Sequence, residues 1–209
     1  MEIGGTVNFG GRAWRVLDVQ NGKALILSEK ILENRVYDDY NFTEPWVDCT
    51  LRDYRDYNFT STWADCTLRD YLNGAFFNEF SSHDKARIAE TRITTNNNPW
   101  YGRKGGNATN DRIFLLSLEE VAQYFGDSEQ LKNRPGRAYS IDDQYNSARV
   151  ATDEAGMAWY WWLRSPGNLS CYTAMVHPHG DVFLSGMYVL VDDFGVRPAL
   201  WLNLYSEIF

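Results

Sequence analysis

No apolar run in this sequence approaches a membrane span; the longest, such as Ala24 to Leu27 and Trp159 to Leu163, are far too short. Lys/Arg-rich stretches are missing too. Only 20 basic residues face 28 acidic ones, giving a net charge of −8, which argues against a nucleic-acid partner and against membrane insertion or an anionic-membrane surface. Cysteine is scarce: Cys49, Cys66 and Cys171, with no C-x-x-C spacing, argue against a disulfide framework or a zinc knuckle. The opening Met1-Glu2-Ile3-Gly4-Gly5 lacks a basic segment followed by an apolar one, so no secretory signal is expected. That points to a cytosolic or virion-associated protein, or one exported by a non-classical route. Charge makes up only 23% of the chain, too little for a disordered tail protein.

What the chain does have is apolar and aromatic. Hydrophobic residues reach 44% and aromatics 15% of 209 residues, alongside 16 glycines. That is enough for one domain, 1–209, with a sizeable core and a loop-rich, β-containing character. Arg12 to Val19 alternates, Asn21-Gly22 supplies a type I′ turn, and Lys23 to Leu27 continues, so a β-hairpin is predicted. Next comes a tandem duplication within 39–71. DYNFTEPWVDCTLRDY (39–54) recurs as DYNFTSTWADCTLRDY (56–71), shifted by 17 residues. Two copies do not make a solenoid. One is expected to pack and the other to be an insertion. The second copy is the better candidate for packing, because it runs into a helical pattern with Leu68, Leu72 and Phe76 on one face.

A capped short helix is predicted from Ser82 to Ile88, a loop over 93–110 and a strand from Asp111 to Leu116. Ser117-Leu118-Glu119-Glu120 reads as a capping box opening a helix that Gly126 ends. Residues 127–157 read as irregular, and Trp159 to Arg164 as an apolar strand. Strands at both ends with two to three short helices between them imply an α+β class. In the tail, Val176, Gly180, Val182, Gly186 and Val189 are spaced as short strands with Gly turns and inward valines. That spacing turns Leu169, Tyr172, His177, His179, Phe183, Leu184, Tyr188, Leu190 and Phe194 outward, as a candidate binding surface.

The motifs flanking this tail carry a resemblance. Trp161-Trp162-Leu163-Arg164-Ser165-Pro166-Gly167, followed by Gly195-Val196-Arg197-Pro198-Ala199-Leu200-Trp201-Leu202, resembles the C-terminal half of the C-type-lectin-fold variable proteins of diversity-generating retroelements. These belong to the formylglycine-generating-enzyme-like branch of that fold. Thr62-Trp63, Cys66-Thr67-Leu68-Arg69, Tyr71-Leu72-Asn73 and Asp111 to Ser117 are similar to the same group. The resemblance implies a C-type lectin fold with a fixed scaffold, residues 1–167 and the strand from Gly195 to Leu202. It also implies a variable ligand-binding region at 168–195, rewritten at adenines, often of AAY codons, into NNY codons, which encode no Lys, Glu, Gln or Trp. None of those four occurs between Asn168 and Gly195. Met175 and Met187 do not fit NNY codons. The expected ligand-binding residues are Leu169, Cys171, Tyr172, His177, His179, Asp181, Phe183, Leu184, Tyr188, Leu190, Asp192, Asp193 and Phe194. The implied partner is a protein or cell-surface target, with no cofactor and no catalytic residue.

Catalytic and metal readings compete with this. His177, His179 and Asp181 alternate, with Cys171 as a further donor, but Pro178 and Gly180 suggest a turn. Acidic-Pro-Asn and Gln-Pro-Asp calcium motifs do not occur. Formylglycine-generating enzymes use a cysteine pair near the C-terminal core, where this chain has only Cys171. A catalyst or metalloprotein on the same fold is therefore the second reading. Arg164 and Arg197 are expected to be structural, tied to carbonyls or acids beside an aromatic core.

Overall fold

A computed structural model describes residues 1–39 and 60–204. The first sheet grows from the Asn-Gly turn. Strands Arg12–Gln20 (β2) and Lys23–Ser28 (β3) pair antiparallel, and Asn21 (φ 51°) and Gly22 (φ 73°) supply the two left-handed residues of a type I′ turn. Thr6–Phe9 (β1) covers one side of this hairpin. On the other side, the C-terminal strand Ala199–Asn203 (β13) pairs antiparallel with β3, Leu200 opposite Ile26, and Ile88–Ala89 (β5) closes the edge.

The second sheet has six strands. In spatial order they are Glu33–Asn34 (β4), Gly195–Val196 (β12), Trp161–Pro166 (β9), Tyr172–Val176 (β10), Val182–Tyr188 (β11) and Ser140–Ile141 (β8). Only β12 and β9 run parallel. Thr91–Ile93 (β6) and Thr109–Asp111 (β7) form a separate pair. One contiguous core includes Trp14 and Ile26 of the first sheet with Trp161, Leu163 and Val182 of the second.

The chain passes from the first sheet to the second after β3, comes back for β5, and after a last run through the second sheet returns from β12 to β13. Arg197 sits where the first and the last of these crossings meet. It is 1% exposed, and its Nε donates to Ser28 O at 2.9 Å. Ser28 N–H donates in turn to Pro198 O and Leu32 N–H to Val196 O. The Arg197 guanidinium also lies 5.0 Å from the Trp161 ring centre, a cation–π contact that offsets part of its desolvation. Burial lowers its pKa to about 9, which leaves it charged at neutral pH.

The helices are short. Thr67–Tyr71 (α1) runs directly into a π-helical turn, Leu72–Phe76, and Leu68, Leu72 and Phe76 are all buried as their spacing predicts. Asn73 sits in the widened turn, where Nδ2 donates to Arg69 O and Ile113 O and Oδ1 accepts from Arg112 N–H. Ser82–Arg87 (α2) is capped by Ser81. Leu118–Phe125 (α3) opens on the complete Ser117/Glu120 capping box and stops at Gly126 (φ 88°), where a Cβ would strike the Tyr145 ring. A fourth helix, Asn146–Arg149 (α4), lies in the stretch expected to be irregular; the buried Arg149 holds it by pairing with Asp143 and Asn146. No helix of the described residues is long and apolar enough to cross a membrane.

Three expectations are corrected or bounded. Asp111 to Leu116 is not one strand. β7 ends at Asp111, whose carboxylate is taken by Trp63 Nε1 and Arg69 Nε, and the buried continuation pairs piecemeal, Phe114 with Ala199 and Leu116 O with Arg164 N–H. Gly186 (φ 75°) lies inside β11, at the irregularity in its register with β10, rather than in a connecting turn. The first repeat copy lies outside the described residues apart from Asp39. From Thr60 onward the second copy is packed, with Ser61, Trp63, Cys66 and Leu68 buried.

Candidate functional site

The two tryptophan-bearing motifs form the walls of the candidate site. β9 is buried along its whole length because it lies inside the second sheet, between β12 and β10. Trp161 Nε1 donates to Arg149 O and Trp162 Nε1 to Arg35 O. Arg164 pairs with both oxygens of Glu120 and donates to Leu115 O at 2.6 Å. Ser165 Oγ accepts from Leu118 N–H at the start of α3. A Cβ on Gly167 would lie 2.6 Å from Ser185 O, so glycine alone fits there. Trp161, Trp162, Leu163 and Leu200 are fully buried.

Between these walls, β10 and β11 make a hairpin. Its turn, His177 to Asp181, is closed by His177 N–H to Asp181 O at 3.0 Å and Gly180 N–H to His177 O at 2.8 Å. Gly180 has φ 88°, and a Cβ there would lie 1.8 Å from Asn146 O, so the turn is seated on α4. His177 Nδ1 meets Asp181 Oδ2 at 2.8 Å, its ring stacks on Phe183 with centres 4.9 Å apart, and the Tyr160 ring stands edge-on at 5.4 Å. Burial would raise the Asp181 carboxyl, but the His177 hydrogen bond and charge, with help from the Ser140 hydroxyl, outweigh it and hold the pKa below the usual value.

The predicted ligand residues fall into three environments. His179, Asp192 and Asp193 are exposed. Leu169, Tyr172, His177, Asp181, Phe183, Tyr188 and Leu190 are half-buried. Cys171 (1% exposed), Leu184 (0%) and Phe194 (4%) are buried, which corrects the outward placement of Leu184 and Phe194 and the assignment of all three as accessible ligand contacts. Phe194 stacks on Trp162 at 4.4 Å and so belongs to the core beside β9. Leu184 lies in β11, which has a partner strand on each side and a core beneath it. Cys171 O accepts from Val189 N–H beneath the strand entry.

The accessible residues do not form one sheet face. Tyr172 and Tyr188 pair at one end of the hairpin, with rings 6.3 Å apart. His177, His179, Asp181 and Phe183 gather at the other end, about 16 Å away along the strand, and buried Thr173 to Val176 separates the two ends. Tyr160 and Trp159 extend the turn-end group; Trp159 Nε1 donates to Asp193 O, which brings the Asp192-Asp193 turn to it. Neither aromatic is distinguishable from core in a run of apolar letters. His177 and Asp181 meet as a pair, with Cys171 buried elsewhere. Among the described residues, no group of three His, Cys, Asp or Glu side chains converges as a metal site would need.

The chain matches a family model described as a domain of unknown function, DUF6273, over residues 21–204. It belongs to that family. No curated protein and no solved structure matches it. The DUF6273 match begins at the Asn-Gly turn, so it takes in β3 to β13, every crossing between the two main sheets and the whole β10–β11 hairpin, and leaves β1 and β2 outside.

Proposed function

We propose that this DUF6273 protein is a non-enzymatic binding module of C-type lectin fold, whose ligand-contacting residues are the accessible side chains of the β10–β11 hairpin. One observation carries the reading: a boundary in burial that coincides with the two motifs. Trp161 to Gly167 and Phe194 to Leu200 are buried throughout, whereas the residues between them include half-buried and exposed aromatics, imidazoles and carboxylates. Rigid aromatic side chains beside adaptable polar ones suit recognition at low entropy cost. The lectin assignment is supported by β13 closing on the N-terminal β2–β3 hairpin, which brings both ends of the described chain into one sheet while the second sheet carries the displayed region. The ligand class is a protein or cell-surface target.

In this proposal 168–195 is the variable segment of a diversity-generating retroelement, trimmed by the structure to Leu169, Tyr172, His177, His179, Asp181, Phe183, Tyr188, Leu190, Asp192 and Asp193. Sequencing the DNA that flanks the gene tests it. A near-copy of the region encoding 168–195, differing only at adenines and at codons for these accessible residues, is expected. Absence of such a copy, or differences concentrated at codons for Leu184, Cys171 and Phe194, contradicts the assignment.

A further inference from the structure

A cavity opens beside the hairpin, between the start of the packed repeat, the 102–104 loop and the segment following β9. It measures about 300 Å³ and is lined by Thr60, Ser61, Arg103, Lys104, Leu169 and Ser170, with Gly102 and Pro166 completing the wall. We infer that this cavity binds an acidic monosaccharide unit, its carboxylate or sulfate on Arg103 and Lys104 and its hydroxyls on Thr60, Ser61 and Ser170.

Charge is the first ground. The protein carries a net charge of −8, and among the described residues several arginines are committed to acids, as in the pairs Arg12–Glu79, Arg15–Glu29, Arg69–Asp111, Arg149–Asp143 and Arg164–Glu120. Arg103 and Lys104 have no acidic partner among the described residues. Among the described residues, Arg103 donates only through Nε, to Asn168 O at 3.0 Å, Lys104 makes no side-chain hydrogen bond, and both residues are exposed. A guanidinium fork and an ammonium that share a cavity without an acid suit an oxyanion.

Preorganisation is the second ground. Buried Asn98 donates through Nδ2 to Pro166 O (2.8 Å) and Leu184 O (2.9 Å), while Oδ1 accepts from Trp100 N–H and Tyr101 N–H. Gly102 N–H closes back on Asn98 O, and Asn98 N–H donates to Arg103 O, so the loop bearing both cations is fixed against β9 and β11. Ser61 N–H donates to Ser170 O across the cavity, and a Cβ on Gly106 would strike Thr62. Three walls therefore stand in place before any ligand arrives, which lowers the ordering cost of binding.

The remaining lining selects for a polyol. The hydroxyls of Thr60 and Ser170 can donate and accept, that of Ser61, which donates to Asp38, can accept, and Pro166 and Leu169 give a small apolar surface for a pyranose ring. Asp38 lies behind Ser61 with its oxygens engaged by Ser61 Oγ–H and Thr67 N–H, and Asp65 accepts from the Thr62 hydroxyl.

The cavity shares only Leu169 with the hairpin residues proposed above, and neither cation belongs to them, so failure here and failure there are separable. Titration of the full chain with glucuronate, glucose 6-sulfate, glucose and sodium sulfate, followed by calorimetry and NMR, tests the inference. One or both acidic sugars should bind with Kd at least about tenfold below that of glucose and of sodium sulfate. Arg103→Gln/Lys104→Gln should raise that Kd at least about tenfold while leaving Tm unchanged. Glucuronate or glucose 6-sulfate prevailing alone assigns the oxyanion as carboxylate or sulfate ester. Equal affinity for glucose, sodium sulfate binding as well as the sugars, no saturation by about 10 mM, or an unaffected double variant would each overturn it.

Discussion

At the residue scale, Ser61 explains which repeat copy packs. Its side chain is 5% exposed and donates to Asp38 Oδ2 at 2.8 Å, and burial already raises the Asp38 carboxyl above the usual range. The first copy has Glu44 in the place of Ser61, while Trp46, Cys49, Leu51, Arg52 and Tyr54 match Trp63, Cys66, Leu68, Arg69 and Tyr71. A glutamate there would set one carboxylate against another out of water, so the first copy is the poorer fit. Ser61→Glu should cost about 3 kcal/mol and Ser61→Ala about 1 kcal/mol, both read by urea denaturation. Equal stability of Ser61→Glu and the parent would refute this selection. The repeat itself is plain in the sequence. The reason for the choice is not, because Asp38 and Ser61 are brought together only by the fold. Asn98 was equally hidden: one asparagine in a run of three, whose four hydrogen bonds join segments distant in the chain.

At the scale of elements, local chemistry was legible and exposure was not. The Asn-Gly hairpin, the capping box of α3 and the apolar face from Leu68 to Phe76 are set by neighbours in the chain, and all three are found. Alternation in the tail suggests one wet face, a rule for antiparallel strands with a single covered side. β10 and β11 sit inside a six-stranded sheet, so Leu184 and Met175 are buried and only the hairpin's two ends are accessible. The turn itself carries a titrating carboxyl. Asp181 has a depressed pKa in the folded chain, so its contribution to stability is full above the ordinary aspartate value of about 4 and is lost as pH falls through the lower folded value. Thermal melts of the parent and Asp181→Asn across that range should show a gap at neutral pH that closes in acid. A gap that stays constant or widens on acidification would show that the His177 pairing does not stabilise the charged carboxylate.

For the whole molecule, the described fold is held by the pair of sheet crossings at Arg197, by β9 at the centre of the core and by the closing strand β13, none of which uses the first repeat copy. Deleting residues 39–55 joins Asp38 to Asp56, which restores the Asp-Asp-Tyr order found where the first copy begins. That protein should unfold in one cooperative thermal transition near the parent Tm; loss of cooperativity would mean that the segment is structural. The α+β class and the scaffold motifs could be read from sequence because Trp161 to Gly167 and Gly195 to Leu202 are dense in apolar letters. The cavity at Arg103 and Lys104 could not, since its walls come from three separate stretches of chain. The central claim is that a rigid scaffold displays replaceable residues on the β10–β11 hairpin. It is tested most directly by saturation libraries at His177, His179, Phe183, Tyr188 and Leu190, scored for folded, protease-resistant display beside libraries at Trp161, Leu163, Leu184 and Phe194. Most substitutions at the first set should be retained, each within about 0.5 kcal/mol of the parent, and truncations at the second set should be depleted, with Leu163→Ala costing about 2–5 kcal/mol. Equal depletion at the two sets would contradict the account.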